Sequence, residues 1–230
     1  MRVTSVVFDL DDTLYLERDY VRSGIKAVGA WLAERTSCLD FATTATRLWD
    51  AGQRDRLFDE TLRRLNIAPE PRLVAELVEV YRGHEPSITL ADDAAEYLAR
   101  PGGRRLALVT DGIASAQRRK IAALRLDRFA FEPIIPTDDL GSGFQKPHRR
   151  AFEAVAAAHR VPPEATVYVA DNPAKDFLAP RALGWRTVQI DRPGAVHCRT
   201  SPSPAHSADI CVTSLADLDA ALERLADRPH

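Results

Sequence analysis

The chain has 230 residues, 45% apolar and 28% charged, with a formal net charge of −2, the composition of a globular protein large enough for a core domain and a smaller second one. So small a net charge gives no electrostatic basis for binding nucleic acid or an anionic membrane, and no apolar run nears the roughly 20 residues that span a bilayer. The start lacks the pattern of a signal peptide, and Cys38, Cys198 and Cys211 are too few and scattered for a disulfide framework, so a reduced cytoplasmic setting is expected.

In chain order, residues 3–8 read as a buried strand that runs straight into Asp9, Asp11 and Asp12 ("SVVFDLDDTLY"). From about 14 to 86 there is no good strand. Apolar residues recur there at helical spacing: Ile25, Val28 and Leu32, then Leu57, Thr61 and Leu65, then Leu73, Leu77 and Tyr81, with a break at 66–71. Further strands are predicted at 106–110, 133–135, 166–170 and 187–190, with a weaker one at 209–212. Helices are predicted near 115–125, 148–159, 174–183 and 214–225, the second opening just after Pro147. Residues 191–207 form a Pro/Ser-rich loop. The alternation predicts an α/β fold, a Rossmann-like parallel sheet built from 1–14 and 89–230, with an all-helical domain inserted at 15–88.

In an open parallel sheet, ligands bind beyond the carboxyl ends of the strands. Those ends carry Asp9 and Asp11, then Thr110 and Asp111 ("ALVTDG"), then Asp171 and Asp176 ("VYVADNPAKD"); Lys146 follows the third strand. Asp9 and Asp171 are hard oxygen ligands that suit Mg²⁺. Lys146, Thr110 and neighbouring main-chain N–H groups suit phosphoryl oxygens. One carboxylate can attack phosphorus, and a second, two residues on, can exchange protons with the leaving oxygen and with water. Taken singly, each residue has a plain structural use: D-x-D as a turn or cap, Thr110 as a strand-end hydroxyl, Lys146 as a surface lysine, Asp176 as a helix-start acid. The conjunction at four strand ends makes the site.

These residues carry a resemblance. The sequence resembles the haloacid dehalogenase superfamily from end to end: "DLDDT", "VTDG", "QKP" and "VADNPAKD" appear in that family's order, and the helical insert falls where its cap domain lies. The resemblance implies Asp9 as nucleophile and Mg²⁺ ligand, and Asp11 as general acid/base that also lends the metal its main-chain carbonyl. It further implies Thr110, Asp111 and Lys146 as the phosphate-binding group, Asp171 as a metal ligand and Asp176 as a ligand or supporting acid. An acid at position 11 separates the chain from the dehalogenating members, and Lys26 is the insert's single candidate for the Schiff-base chemistry of phosphonate-cleaving members. Asp12 is expected to face the turn or solvent.

The resemblance thus implies a Mg²⁺-dependent phosphatase for a small phosphorylated metabolite: a sugar phosphate, a nucleoside monophosphate or a small phospho-acid. A phosphomutase and a non-catalytic phosphometabolite-binding protein stand as alternatives. Tyr15, Glu17, Arg18, Tyr20 and Arg22 lie at the insert's hinge, within reach of a leaving group if the cap closes. "GSGFQK" at 141–146 lacks P-loop spacing, and His197, Cys198, His206 and Cys211 fit no standard zinc pattern. Oligomeric state is not written in the sequence, with which a homodimer is compatible. Basic residues comprise 27 Arg but only 4 Lys, which makes each lysine worth following.

Overall fold

A computed structural model describes residues 2–196 and 200–226. Six strands form one parallel sheet in the order β3-β2-β1-β4-β5-β6. They are β1 (Ser5–Phe8), β2 (Arg105–Thr110), β3 (Phe131–Pro136), β4 (Thr166–Ala170), β5 (Arg186–Ile190) and β6 (Ile210–Val212). Each predicted strand is present, no end is moved by more than two residues, and β4 has the predicted bounds. Helices α1 (Glu17–Arg35), α2 (Phe41–Asp50), α3 (Leu57–Arg64) and α4 (Pro71–Gly83) come first. They are followed by α5 (Asp92–Ala99), α6 (Ala114–Ala123), α7 (Arg150–His159), α8 (Leu178–Ala182) and α9 (Leu218–Ala226).

The chain divides into two compact units, Met1–Arg18 with Thr89–His230, and Asp19–Ile88. The second is wholly helical among its described residues. Ile25, Val28 and Leu32 of α1 and Leu77 of α4 are buried in it, as the helical spacing requires. The chain reverses at 66–70, where Asn66 takes a left-handed conformation (φ 57°) and α4 opens on Pro71, where the missing N–H costs nothing. Tyr81 meets the rings of Tyr20 and Phe58, each at 5.7 Å.

In the first unit, β1 is buried along its whole length, as a central parallel strand should be. One face packs Val7, Ala107, Val109, Tyr168 and Ala170 against α7, Phe177 and Trp185. There Phe152 stands edge-on to Tyr168 at 5.0 Å and to Trp185 at 5.8 Å. On the other face Phe8 meets Tyr97 and Phe131. No described helix is long and apolar enough to cross a membrane.

Two expectations are corrected. Helix α7 starts at Arg150, not after Pro147, because the chain first closes a turn in which His148 N donates to Gln145 O (2.9 Å). The helix expected at 174–183 is shortened to Leu178–Ala182, since Lys175 and Asp176 turn back to bond Asn172 O. Nor is the start of the 191–207 loop free. Arg192 is buried, its Nε donates to Thr13 O (2.8 Å) and its Nη1 pairs with both oxygens of Asp93 (2.8 and 2.9 Å). Asp93 also accepts from Ser214 Oγ and Leu215 N.

Removing one member of a buried, hydrogen-bonded ion pair strands the other charge and costs about 3–5 kcal/mol. Asp93→Ala should lower unfolding free energy by about that amount in a denaturant titration; a loss below about 1 kcal/mol would show that Arg192 finds water instead.

At the opposite edge of the sheet His159 is buried. Its Nε2–H donates to Glu132 O (2.6 Å), so Nδ1 accepts from Ser5 Oγ (2.7 Å). Burial holds its pKa below the ordinary value. The unfolded chain takes up the proton near pH 6.5 and the folded one at lower pH. Stability from this group is therefore intact above about pH 6.5 and lost as pH falls through the window below it. The urea midpoint should drop between about pH 7.5 and about pH 5.5, and the drop should be smaller in His159→Gln; an equal drop in both proteins refutes the assignment.

Candidate active site

From β1 the chain moves outward through β2 and β3, then returns to lay β4, β5 and β6 on the other side of β1. Strand order thus reverses between β1 and β4, and the crevice of such a sheet opens at the carboxyl ends of those two strands. Val7 pairs with Tyr168 and Phe8 with Val169, and Asp9 N donates to Val169 O (3.0 Å). In this register Asp9 lies level with Ala170 and Asp171 follows one residue further on, so both carboxylates stand at the carboxyl end of the sheet. Both are buried, at 3% and 6% exposure.

Carboxylate oxygens of Asp9, Asp171 and Asp176 lie within 4.8 Å of one another. Lys146 Nζ enters this group and bonds Asp9 Oδ1 (2.9 Å), Asp176 Oδ1 (2.7 Å) and Tyr168 Oη (3.0 Å). Burial pulls the ammonium's pKa down, but Asp176 and Asp9 raise it well above the usual lysine value. Burial lifts Asp9 to about 6 against the opposing effect of Lys146. Asp171, which has no ion pair among the described residues, is lifted by burial and by Asp9 and Asp176 to about 9. Asp176 is occupied on both oxygens: Oδ1 by Lys146 and Tyr168, Oδ2 by Asn172 N (3.0 Å).

Asp11 points elsewhere, toward α6. Lys120 Nζ meets its Oδ1 and Oδ2 at 2.8 and 3.0 Å, Gln117 Nε2 donates to Oδ2 (3.1 Å), and Tyr15 Oη donates to Oδ1. Burial would raise its pKa, but Lys120 and these donors hold it below the usual carboxylate range. Gln117 Nε2 also bonds Thr110 Oγ1, which is fully buried at the end of β2. The Asp111 carboxylate accepts from Thr137 Oγ1 (2.7 Å), Lys146 N (3.1 Å) and Lys175 Nζ (3.2 Å). It therefore shapes the loop carrying Lys146.

Asp12 does not face solvent. It is fully buried with φ 51°, and its oxygens accept from Glu17 N (2.8 Å) and Val196 N (2.6 Å), tying the post-β1 turn to the loop after β5. Among the hinge residues, Tyr15 reaches Asp11 and Arg18 lies against Gly194, where a Cβ would come within 2.4 Å of Arg18 Nη1. Arg22 pairs with Asp50 on an exposed surface, and Tyr20 packs against Tyr81 and His84. Lys26 is exposed. Lys120, Gln117, Lys175 and Tyr168 belong to the site and were not singled out by motif; the rarity of lysine was the signal that could have found two of them.

Five carboxylates (Asp9, Asp11, Asp111, Asp171, Asp176) face three ammonium groups (Lys120, Lys146, Lys175). The carboxylates outnumber the ammonium groups, the Asp12 charge also acts on Asp171, and the oxygens left uncommitted, on Asp9 and Asp171, are hard ligands. The residues therefore fit Mg²⁺. No second acidic or His/Cys group of metal-binding size occurs among the described residues. His197 and Cys198 lie outside them, while His206 bonds Ser203 Oγ and Cys211 is in no disulfide among the described residues.

Residues 3–184 match the haloacid dehalogenase-like hydrolase family. The chain is 30% identical over 204 residues to the glyceraldehyde 3-phosphate phosphatase of Methanopyrus kandleri, covering 83% of this chain and 84% of that one. It is 34% identical over 150 residues to the phosphoserine phosphatase of Thermus thermophilus, covering 64% of this chain and 58% of that one. A HAD family hydrolase of Deinococcus radiodurans, crystallised with phosphate and sodium, superposes with a TM-score of 0.68 at 25% identity, over 97% of this chain and 96% of that one. With the sheet order, the strand-end carboxylates and the family match in agreement, the chain belongs to the haloacid dehalogenase-like hydrolases.

Proposed function

We propose that this chain is a Mg²⁺-dependent phosphatase that hydrolyses a small phosphomonoester in the cytoplasm through an aspartyl-phosphate at Asp9. The observation that carries the reading is the state of Asp9. It is a buried carboxylate at the strand-order reversal, bonded on one oxygen to Lys146 and free on the other, with Asp171, which has no ion pair among the described residues, beside it. The relatives named as glyceraldehyde 3-phosphate and phosphoserine phosphatases support a compact alkyl phosphate as substrate.

In this reading the free oxygen of Asp9 attacks phosphorus, and the bond from phosphorus to the leaving oxygen breaks. The leaving oxygen takes its proton through Asp11, which must first gain one from solvent, because Lys120, Gln117 and Tyr15 hold the carboxylate ionised. Asp11 then takes a proton from water, which attacks phosphorus and breaks the bond to Asp9, releasing inorganic phosphate. Lys146 neutralises phosphoryl oxygens, the Thr110 hydroxyl and the main-chain N–H groups of 111–112 donate to them, and Asp176 keeps Lys146 in place. Mg²⁺, held by the carboxylates of Asp9 and Asp171 with the Asp11 carbonyl, would supply the balancing positive charge against which a phosphate dianion can approach two carboxylates.

Phosphate release from a panel of sugar phosphates, nucleoside monophosphates, phosphoserine and glyceraldehyde 3-phosphate should require Mg²⁺. It should fall by at least about 10⁴-fold in Asp9→Asn. Isomerised phosphate ester without free phosphate would point to a mutase, and activity persisting in Asp9→Asn would sink the mechanism.

Mg²⁺ should also stabilise the fold. At a hundredfold excess over Kd the gain is about 2.7 kcal/mol, or about 5–10 °C in Tm for a chain of this size. The rise should vanish in Asp171→Asn; an unchanged rise would place the ion elsewhere.

A further inference from the structure

Lys120 enters neither the family motifs nor the reaction steps above, yet it is one of the most constrained side chains in the protein. It sits in the last turn of α6 with its side chain 7% exposed and forks both oxygens of Asp11. Gln117, one turn earlier on the same helix face, reaches Asp11 Oδ2 and Thr110 Oγ1 with a single amide nitrogen. Resting on the phosphatase reading, we infer that Lys120, with Gln117, is the positioning residue that fixes the acid/base Asp11 relative to the phosphate-binding Thr110.

Stability does not account for this arrangement. Burying an ammonium costs several kcal/mol, and a buried ion pair often stabilises a fold no better than apolar residues of the same volume. Ordering a lysine side chain adds a further entropic cost. What the pair does secure is geometry. A lone aspartate carboxylate turns broadly about its last torsion; four bonds from three side chains leave Asp11 one orientation. Because α6 supplies two of those side chains and also holds Thr110, one rigid element sets the gap between the proton-transfer group and the phosphoryl site. The chain's lysine usage agrees: of 4 lysines among 31 basic residues, Lys120, Lys146 and Lys175 contact site carboxylates. A compact ammonium fits between packed carboxylates where a broad guanidinium does not.

The test exploits leaving-group basicity. An alkyl phosphate expels a basic alkoxide that needs a proton as it departs, whereas p-nitrophenyl phosphate expels a stabilised phenolate that does not. kcat/KM reports the steps through phosphoryl transfer to Asp9. In Lys120→Met it should fall about 100-fold for the alkyl ester that wild type cleaves fastest, and less than about 10-fold for p-nitrophenyl phosphate. Gln117→Leu should show the same pattern more weakly. Adding Lys120→Met to Asp11→Asn should cost at most about a further twofold, since positioning an absent acid has no value.

Equal losses on both esters, or losses that multiply in the double variant, would overturn the inference. If Lys120→Met does not fold, Lys120→Gln keeps a donor at similar length and is read by the same criteria. The phosphatase reading is judged separately by Mg²⁺-dependent turnover of wild type and its loss in Asp9→Asn. Should that reading fail, crystal structures still decide the positioning: in Lys120→Met the Asp11 carboxylate should swing away from its wild-type place, and an unmoved carboxylate would overturn it.

Discussion

Three carboxylates brought within 4.8 Å of one another in a buried crevice are the constraint around which this structure is arranged. At an effective dielectric of about 20, each like-charged pair at that separation costs about 3–4 kcal/mol, and burial adds to it. The fold cannot dilute the charge, because β1 and β4 are neighbours and their register sets Asp171 only one residue beyond the level of Asp9. It can only supply positive charge. Lys146 does so from within, supported from beneath by the Tyr168 hydroxyl, whose ring is packed against Phe152. The hydrophobic core on that face of the sheet is thus also the floor of the site.

The acids around the crevice divide by how many of their oxygens are already in use. Asp12 gives both to main-chain N–H groups, Asp111 serves Thr137, Lys146 N and Lys175, Asp176 is filled by Lys146, Tyr168 and Asn172 N, and Asp93 is filled by Arg192, Ser214 and Leu215. These carboxylates hold loops, and a filled oxygen is not free to ligate or attack; Asp11 is filled likewise by Lys120, Gln117 and Tyr15, so its part in proton exchange requires one of those bonds to yield. Asp9 keeps one oxygen open and Asp171 keeps its carboxylate open to a cation. Free acceptor capacity in a buried place is costly, which is why it marks where a ligand is expected and why sequence position alone does not.

Much of the fold was legible because it rests on local pattern. Short β-branched runs alternating with helical spacing gave the six strands, and the long strand-free stretch gave the helical unit. What was not legible depends on contacts between distant residues. Nothing near Asp12 in sequence says that Val196 N will meet it, and nothing near Lys120 says that Asp11, 109 residues away, will be its partner. Arg192 looked like part of a polar loop, since one buried arginine in a Pro/Ser-rich stretch reads like any exposed one. Pro147 looked like a helix start because the turn at 145–148 has no local signature strong enough to displace that reading.

The residues missed by motif share one property: they bond other side chains of the site. Motif reasoning finds groups whose chemistry requires a residue type at a strand end, so it reaches Asp9, Asp11, Thr110, Lys146 and Asp171. The groups that orient these need only size, charge and reach. Gln117 and Lys120 could stand on any helix that passes the end of β2 with the right face turned inward. Composition carries that information more faintly, through lysine being rare where arginine is abundant. An arginine would bring a broad planar fork into a space between carboxylates that is matched to a single nitrogen. Reading rarity together with burial turns an unremarkable helix lysine into a member of the site.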